Sequence, residues 1–277
     1  MMRLTPRSVP PLARWRSAFY CVLLLACNPS GDKTAPPAFS VAVAANFYPT
    51  AQKIAALYKQ KTGSEVQLAQ GSTGKLYAQI TQGAPFELFL SADAERPARL
   101  HKEGQQGAAD PTTFAIGRLA LVCSKRSESA CQELSRHPQL SPNDLRVWLL
   151  QRARLAVADP HTAPYGRAAE QTLQALGIAD AIQPRLVMGQ SVAQAFHFAE
   201  SDNVEVAFVA VSQARSVDRL FIPIPTSLYA TLRHDAVVLR HSKRADAFLK
   251  FLIENTQARR LTAEAGYLLP SDDPRKR

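Results

Sequence analysis

Three separated stretches of this chain share one design: an apolar, strand-like run breaks at small or polar residues where an amphipathic helix begins. They are Val41-Ala-Val-Ala-Ala-Asn-Phe47, Gly71-Ser-Thr-Gly-Lys-Leu-Tyr77 and Leu155-Ala-Val-Ala-Asp-Pro-His-Thr-Ala-Pro-Tyr-Gly166. Strands that alternate with helices in this way are expected to run parallel, joined by right-handed crossovers. The junctions also carry a chemical consequence. The first turn of a helix leaves backbone N–H groups without partners at the positive end of the peptide dipole, so several such ends meeting at one point make a site for a small anion without a formal cation.

Hydrophobic periodicity fills in the order of elements. Residues 39–45 read as a strand and 48–61 as a helix stopped at Thr62-Gly63; a second strand over 65–69, a helix over 73–82 and a third strand over 87–91 follow. After Gly117 the pattern restarts, with strands over 118–123, 154–158, 185–188 and 204–209 and helices over 141–150, 165–176 and 191–200. The last third holds strands near 221–224 and 235–239 and helices near 244–255 and 257–265. It has too few alternating elements for a third domain and is expected to return and complete the first. The expected fold is α/β with two lobes, residues 39–117 and 219–277 forming the first and 118–218 the second, and a ligand cleft between them.

The first residues are set apart from this body. Arg3, Arg7, Arg14 and Arg16 precede an apolar run over 18–26 that is too short to span a bilayer comfortably as a mature helix, so residues 1–26 read as an export signal. Its end, Leu24-Leu-Ala-Cys27, resembles a bacterial lipoprotein signal, in which cleavage leaves Cys27 as a lipidated N-terminus. Residues 27–38, rich in Pro and small polar residues, read as a tether. Loss of the leader removes four arginines and no acids, lowering the formal charge from +10 to +6. The remaining basic residues are scattered and lack aromatic interleaving, which argues against a nucleic-acid partner. In an oxidising compartment Cys123 and Cys131 can either close a small disulfide loop or stay as two thiols.

Four residues at the junctions could carry the chemistry. Asn46 can donate from its amide to a ligand or simply cap the following helix. Ser72 has the same two readings, with Gly71 and Gly74 permitting close backbone approach. Tyr165 begins a helix with a phenol that can donate one hydrogen bond or pack. Val192, after Gln190-Ser191, offers a fourth helix start. The stretch from Ala69 to Leu76 brushes a phosphate loop but has Ala69 for its first glycine and Leu76 for its final Ser or Thr, so nucleotide binding is rejected. The six histidines show no metal-ligand spacing, and there is no Gly-x-Ser-x-Gly elbow. No catalytic residue and no cofactor are expected, and His161 reads as a solvated loop residue.

At these residues the chain resembles a known family, the molybdate-binding proteins of ATP-driven molybdate importers, which are type II periplasmic binding proteins. The resemblance runs over roughly residues 39 to 270. It rests on Ala44-Ala-Asn-Phe47, Gly71-Ser-Thr-Gly74, Gln82-Gly-Ala-Pro-Phe-Glu-Leu-Phe-Leu-Ser-Ala-Asp93, Asp159-Pro-His-Thr-Ala-Pro-Tyr-Gly166 and Val206-Ala-Phe-Val-Ala-Val-Ser-Gln213. The Gly-Ala-Pro to Ser-Ala-Asp block is the most specific. The resemblance implies an anion, molybdate or tungstate, held by Asn46, Ser72, Tyr165 and Val192 with the backbone of Ala45 nearby, the molybdenum entering only as its oxyanion. It further implies a monomeric receptor in the periplasm or cell envelope, anchored by lipid, that serves a membrane permease with a separate ATPase. The chain departs from the commoner pattern at Asn46, where many relatives carry serine, and at Phe208-Val209, where some carry a coordinating tyrosine that Tyr165 would replace.

A site made only of donors favours a fully deprotonated dianion, because a protonated one brings an O–H that needs an acceptor. Closure is expected about hinges at 117–119 and 214–221. Two other readings stand beside this one: a receptor for another solute such as phosphate, sulfate or an organic acid, and an enzyme on the same bilobal fold using His161 and Tyr165.

Overall fold

The structure, a computed structural model, describes residues 38–136, 140–217 and 219–272. The export signal, the lipidation at Cys27 and the tether up to residue 37 lie outside the described residues.

The body holds two five-stranded mixed sheets of matching design. In the first, the order is β2 (Val66–Gly71), β1 (Phe39–Ala44), β3 (Leu88–Leu90), β10 (Leu232–Val238), β4 (Thr112–Gly117). In the second it is β7 (Leu186–Gly189), β6 (Leu155–Ala158), β8 (Val206–Ala210), β5 (Leu119–Cys123), β9 (Phe221–Pro223). The first three strands of each order are parallel, as the strand-helix alternation requires, and the fourth, β10 or β5, runs antiparallel to both of its neighbours. Both antiparallel strands are the ones by which the chain enters a lobe from the other.

Strand side chains alternate between two buried faces. Val41 and Val43 of β1 pack with Ile54, Tyr58 and Phe248 from the helices Tyr48–Thr62 and Lys243–Glu254, whereas Ala42 joins Leu76, Ile80 and Leu100 on the other face. In β5, Leu119 and Leu121 face Leu145, Trp148 and Leu173, while Ala120 and Val122 face Ala195 and Ala199. The helix ends follow local chemistry. Ser141 accepts from the N–H of Asp144 and Ser191 from that of Gln194, and Gly63 closes the first helix at φ 73°.

Two expectations change. The strand at 221–223 belongs to the second sheet, where β9 pairs antiparallel with β5, so the second lobe runs past residue 218 and the boundary at 219 falls inside it. The second crossover accordingly lies over residues 224–231, between β9 and β10, and the first at Arg118, between β4 and β5.

Cys123, the last residue of β5, is bonded to Cys131 of the helix Glu128–Ser135, with Cα atoms 5.9 Å apart. The bond pins that helix to the end of β5 farthest from the crossover. Cys131→Ser is expected to lower the unfolding free energy by about 2 kcal/mol, measured by urea denaturation, and to leave ligand affinity unchanged.

Candidate functional site

The four predicted junctions all lie at carboxyl ends of parallel strands: Asn46 after β1, Ser72 after β2, Tyr165 after β6 and Val192 after β7. In open α/β sheets ligands bind at these ends. Here the two lobes bring them face to face. The N–H of Gly74 donates to the carbonyl of Thr162 at 2.8 Å. Lys75 Nζ donates to Gln190 Oε1, which ties the helix start after β2 to the one after β7. Arg96, paired with Asp93, donates from Nη2 to the carbonyl of His161 at 2.9 Å, and Arg167 pairs with Glu95 across the same gap at 2.9 Å. The lobes are closed on one another.

Ser72 is the N-cap residue of the helix Thr73–Thr81, yet its side chain accepts no capping bond. It is 4% exposed, and its Oγ is buried without a hydrogen-bond partner. An unpaired buried hydroxyl costs about 1–3 kcal/mol, so the orphaned Ser72 Oγ is a candidate contact for a bound ligand. Tyr165, in the first turn of the helix Pro164–Ala175, is 2% exposed. Burial pushes its phenol well above the usual range, so it keeps its proton and acts as a donor. Among the described residues nothing accepts from that O–H; its one contact is with an amide nitrogen, Asn46 Nδ2, at 3.5 Å.

Asn46 departs from both sequence readings. It does not cap the next helix, whose N-cap is Phe47 and lacks a side-chain bond. Its amide also points inward. Nδ2 lies 2.7 Å from His234 Nε2 and 2.8 Å from Tyr267 Oη, which engage its two hydrogens. Tyr267 returns a bond to the Asn46 carbonyl at 2.9 Å, and Ser212 of the second lobe joins both at 3.2 and 2.9 Å. What Asn46 retains for a ligand is its backbone N–H. His234 is fully buried, and desolvation lowers its pKa to about 4 despite the bond from Nδ1 to the Leu232 carbonyl. It is a neutral ring at neutral pH.

His234, Tyr267 and Ser212 were not singled out by sequence. They reach Asn46 from 188, 221 and 166 residues away, and no local motif flags them. Tyr267 and Ser212 do sit within or beside the stretches of family resemblance, which was the available signal.

The remaining candidates divide. Val192 opens the helix Val192–Glu200 and is buried, with its neighbour Gln190 bonded to Lys75. The N–H of Ala45 donates to the Gly71 carbonyl at 2.9 Å, so that group is already engaged in the first lobe. Phe208 faces the core of the second lobe with Leu121 and Val157, filling with an apolar ring the place where a tyrosine was considered. The His161 side chain is exposed, and only its backbone groups make the contacts described. Among the described residues no group of three His, Cys, Asp or Glu side chains is placed to hold a metal ion.

A family model described as bacterial extracellular solute-binding protein matches residues 39–268. The molybdate-binding protein ModA of Rhodobacter capsulatus is 38% identical over 231 residues, covering 82% of this chain and 86% of that one. The ModA of Azotobacter vinelandii is 38% identical over 224 residues, covering 79% and 82%. A solved structure, the Azotobacter vinelandii periplasmic molybdate-binding protein, superimposes with a TM-score of 0.72 at 28% identity over 84% of this chain and 99% of that one. On a match that spans both lobes, the chain belongs to the bacterial extracellular solute-binding protein family, alongside the ModA proteins.

Proposed function

We propose that this protein is the receptor of an ABC importer, capturing molybdate or tungstate between its lobes and presenting the closed form to a membrane permease driven by a separate ATPase. The observation that carries the reading is the Ser72 hydroxyl, buried and unpaired where four strand-to-helix junctions meet. The likeness to the ModA proteins supports the choice of ligand. Ser72 Oγ, the Tyr165 O–H and the backbone N–H groups of Asn46 and Val192 form the proposed ligand set. All of them donate, so a dianion without a proton satisfies every one, while hydrogen phosphate leaves its own O–H unmatched. With residues 1–26 removed and Cys27 acylated, the receptor is tethered to the envelope membrane through residues 27–38 and works as a monomer. No observation favours the enzyme alternative, because the His161 side chain faces solvent.

The test is calorimetric titration of the purified protein with molybdate, tungstate, sulfate and phosphate. Binding of the first two without phosphate supports the reading; silence from molybdate and tungstate overturns it. Ser72→Ala is expected to weaken molybdate about 10-fold or more, the worth of one hydrogen bond to a charged group. The unliganded mutant should be as stable as the wild type or slightly more so, since it loses an orphan. Unchanged affinity would remove Ser72 from the ligand set.

A further inference from the structure

We infer that His234 is a positioning residue that fixes the direction of the Tyr165 hydroxyl, and through it the preference of the site for an unprotonated dianion. The inference rests on the ligand reading above but is carried by a separate chain of hydrogen bonds. The Leu232 carbonyl can only accept, so His234 Nδ1, 3.0 Å away, must hold the ring's proton. In a neutral ring Nε2 is then a bare lone pair. That lone pair lies 2.7 Å from the Asn46 carboxamide and therefore demands its NH2 end rather than its carbonyl. Tyr267 Oη, donating to the Asn46 main-chain carbonyl, accepts from the same NH2 and reinforces the choice.

The consequence falls on Tyr165. Its oxygen faces the Asn46 nitrogen at 3.5 Å, and an amide nitrogen whose two hydrogens already go to His234 and Tyr267 cannot accept the phenol's hydrogen. Its hydrogen has no taker among the described residues, so it is left for a ligand. Were the amide turned over, Asn46 Oδ1 would face the phenol and take that hydrogen, and Tyr165 would show the ligand a lone pair. A lone pair repels a dianion and accepts from a protonated one. The main-chain carbonyl of the first residue of β10 thus sets the polarity of a phenol in the other lobe, through one imidazole and one amide.

Two measurements test this. In the wild-type protein, 15N NMR of the His234 ring at neutral pH is expected to show a protonated Nδ1 and a bare Nε2; the opposite tautomer, or a doubly protonated ring, overturns the inference whether or not any ligand binds. The second measurement is a double-mutant cycle in sodium molybdate. His234→Phe keeps a ring but offers no acceptor, and it should weaken molybdate about 10-fold or more and narrow the molybdate-to-phosphate ratio. In a Tyr165→Phe background the same change should cost less than about 2-fold, because the group it acts through is gone. Multiplicative effects, or an unchanged ratio in His234→Phe, would make His234 a packing residue only. Failure of the wild type to bind molybdate overturns the ligand assignment instead, and the tautomer still decides the relay.

Discussion

Gly74→Ala is expected to cost 30-fold or more in molybdate affinity while leaving the unliganded protein as stable as before. A Cβ at Gly74 would stand 2.9 Å from Thr162 Cα and 3.0 Å from the Thr162 carbonyl oxygen, both main-chain atoms of the other lobe, and 3.2 Å from Arg96 Nη2. Backbone cannot rotate aside as a side chain can. The extra carbon therefore acts as a wedge between the lobes, and it also endangers the 2.8 Å bond from the Gly74 N–H to that carbonyl. Overpacking at about 1–3 kcal/mol and one lost hydrogen bond at about 0.5–1.5 kcal/mol both fall on the closed form alone. In the open form the position is the first turn of a helix, where alanine is welcome. Apparent affinity drops by the fraction of closed protein that is lost. Calorimetry with thermal unfolding of the unliganded mutant measures both quantities. Wild-type affinity would mean that the contact between Gly74 and Thr162 is absent from the bound state.

Gly117→Ala should abolish detectable binding and, unlike the first substitution, should also lower stability. Gly117 ends β4, just before the chain crosses to the second lobe. A Cβ there would overlap Tyr165 Oη and lie 2.6 Å from His234 Cε1. Both rings are buried, so neither can swing out to solvent without opening the packing around it. The expected loss is about 1–3 kcal/mol of unfolding free energy, with the phenol displaced from its place beside Asn46. Chemical denaturation and titration of the same sample separate the two effects. A mutant that keeps full affinity would show that Tyr165 does not act from the position seen here. The contrast between the two glycines is informative in itself, since one guards a contact between lobes and the other a packed position within the hinge.

Much of this was legible in the chain. Strand-helix alternation and glycine stops located β1, β2, β6 and β7 and the helices after them, because a buried parallel strand is a short apolar run and the junction residues stand out against it. Ser72 and Tyr165 drew notice for the same reason, and the structure buries both side chains. What was missed is long-range. β4 was passed over as the approach to Gly117, although Thr112-Thr-Phe-Ala-Ile-Gly117 has the β-branched and aromatic content of a strand. β9 was assigned to the wrong lobe because its apolar residues satisfy either sheet, and only pairing with β5 decides between them. Asn46 was read as a ligand donor because the sequence does not show its competitors. His234 and Tyr267 arrive from the far end of the chain and engage its amide hydrogens first.

The strand order of the first sheet also dictates an order of assembly. β10 lies between β3 and β4, so a strand from the last quarter of the chain fills the interior of a sheet whose other four members come from the first 117 residues. The second sheet, by contrast, is drawn wholly from residues 119–223. As the polypeptide is synthesised, amino end first, the second lobe can complete its pairing while the first still has a gap between β3 and β4. The unpaired edges of β3 and β4 stay open until β10 arrives, and an open edge is a template for pairing with another chain. The passage between emergence of residue 117 and arrival of residue 238 is thus the interval in which this protein most needs protection from its neighbours.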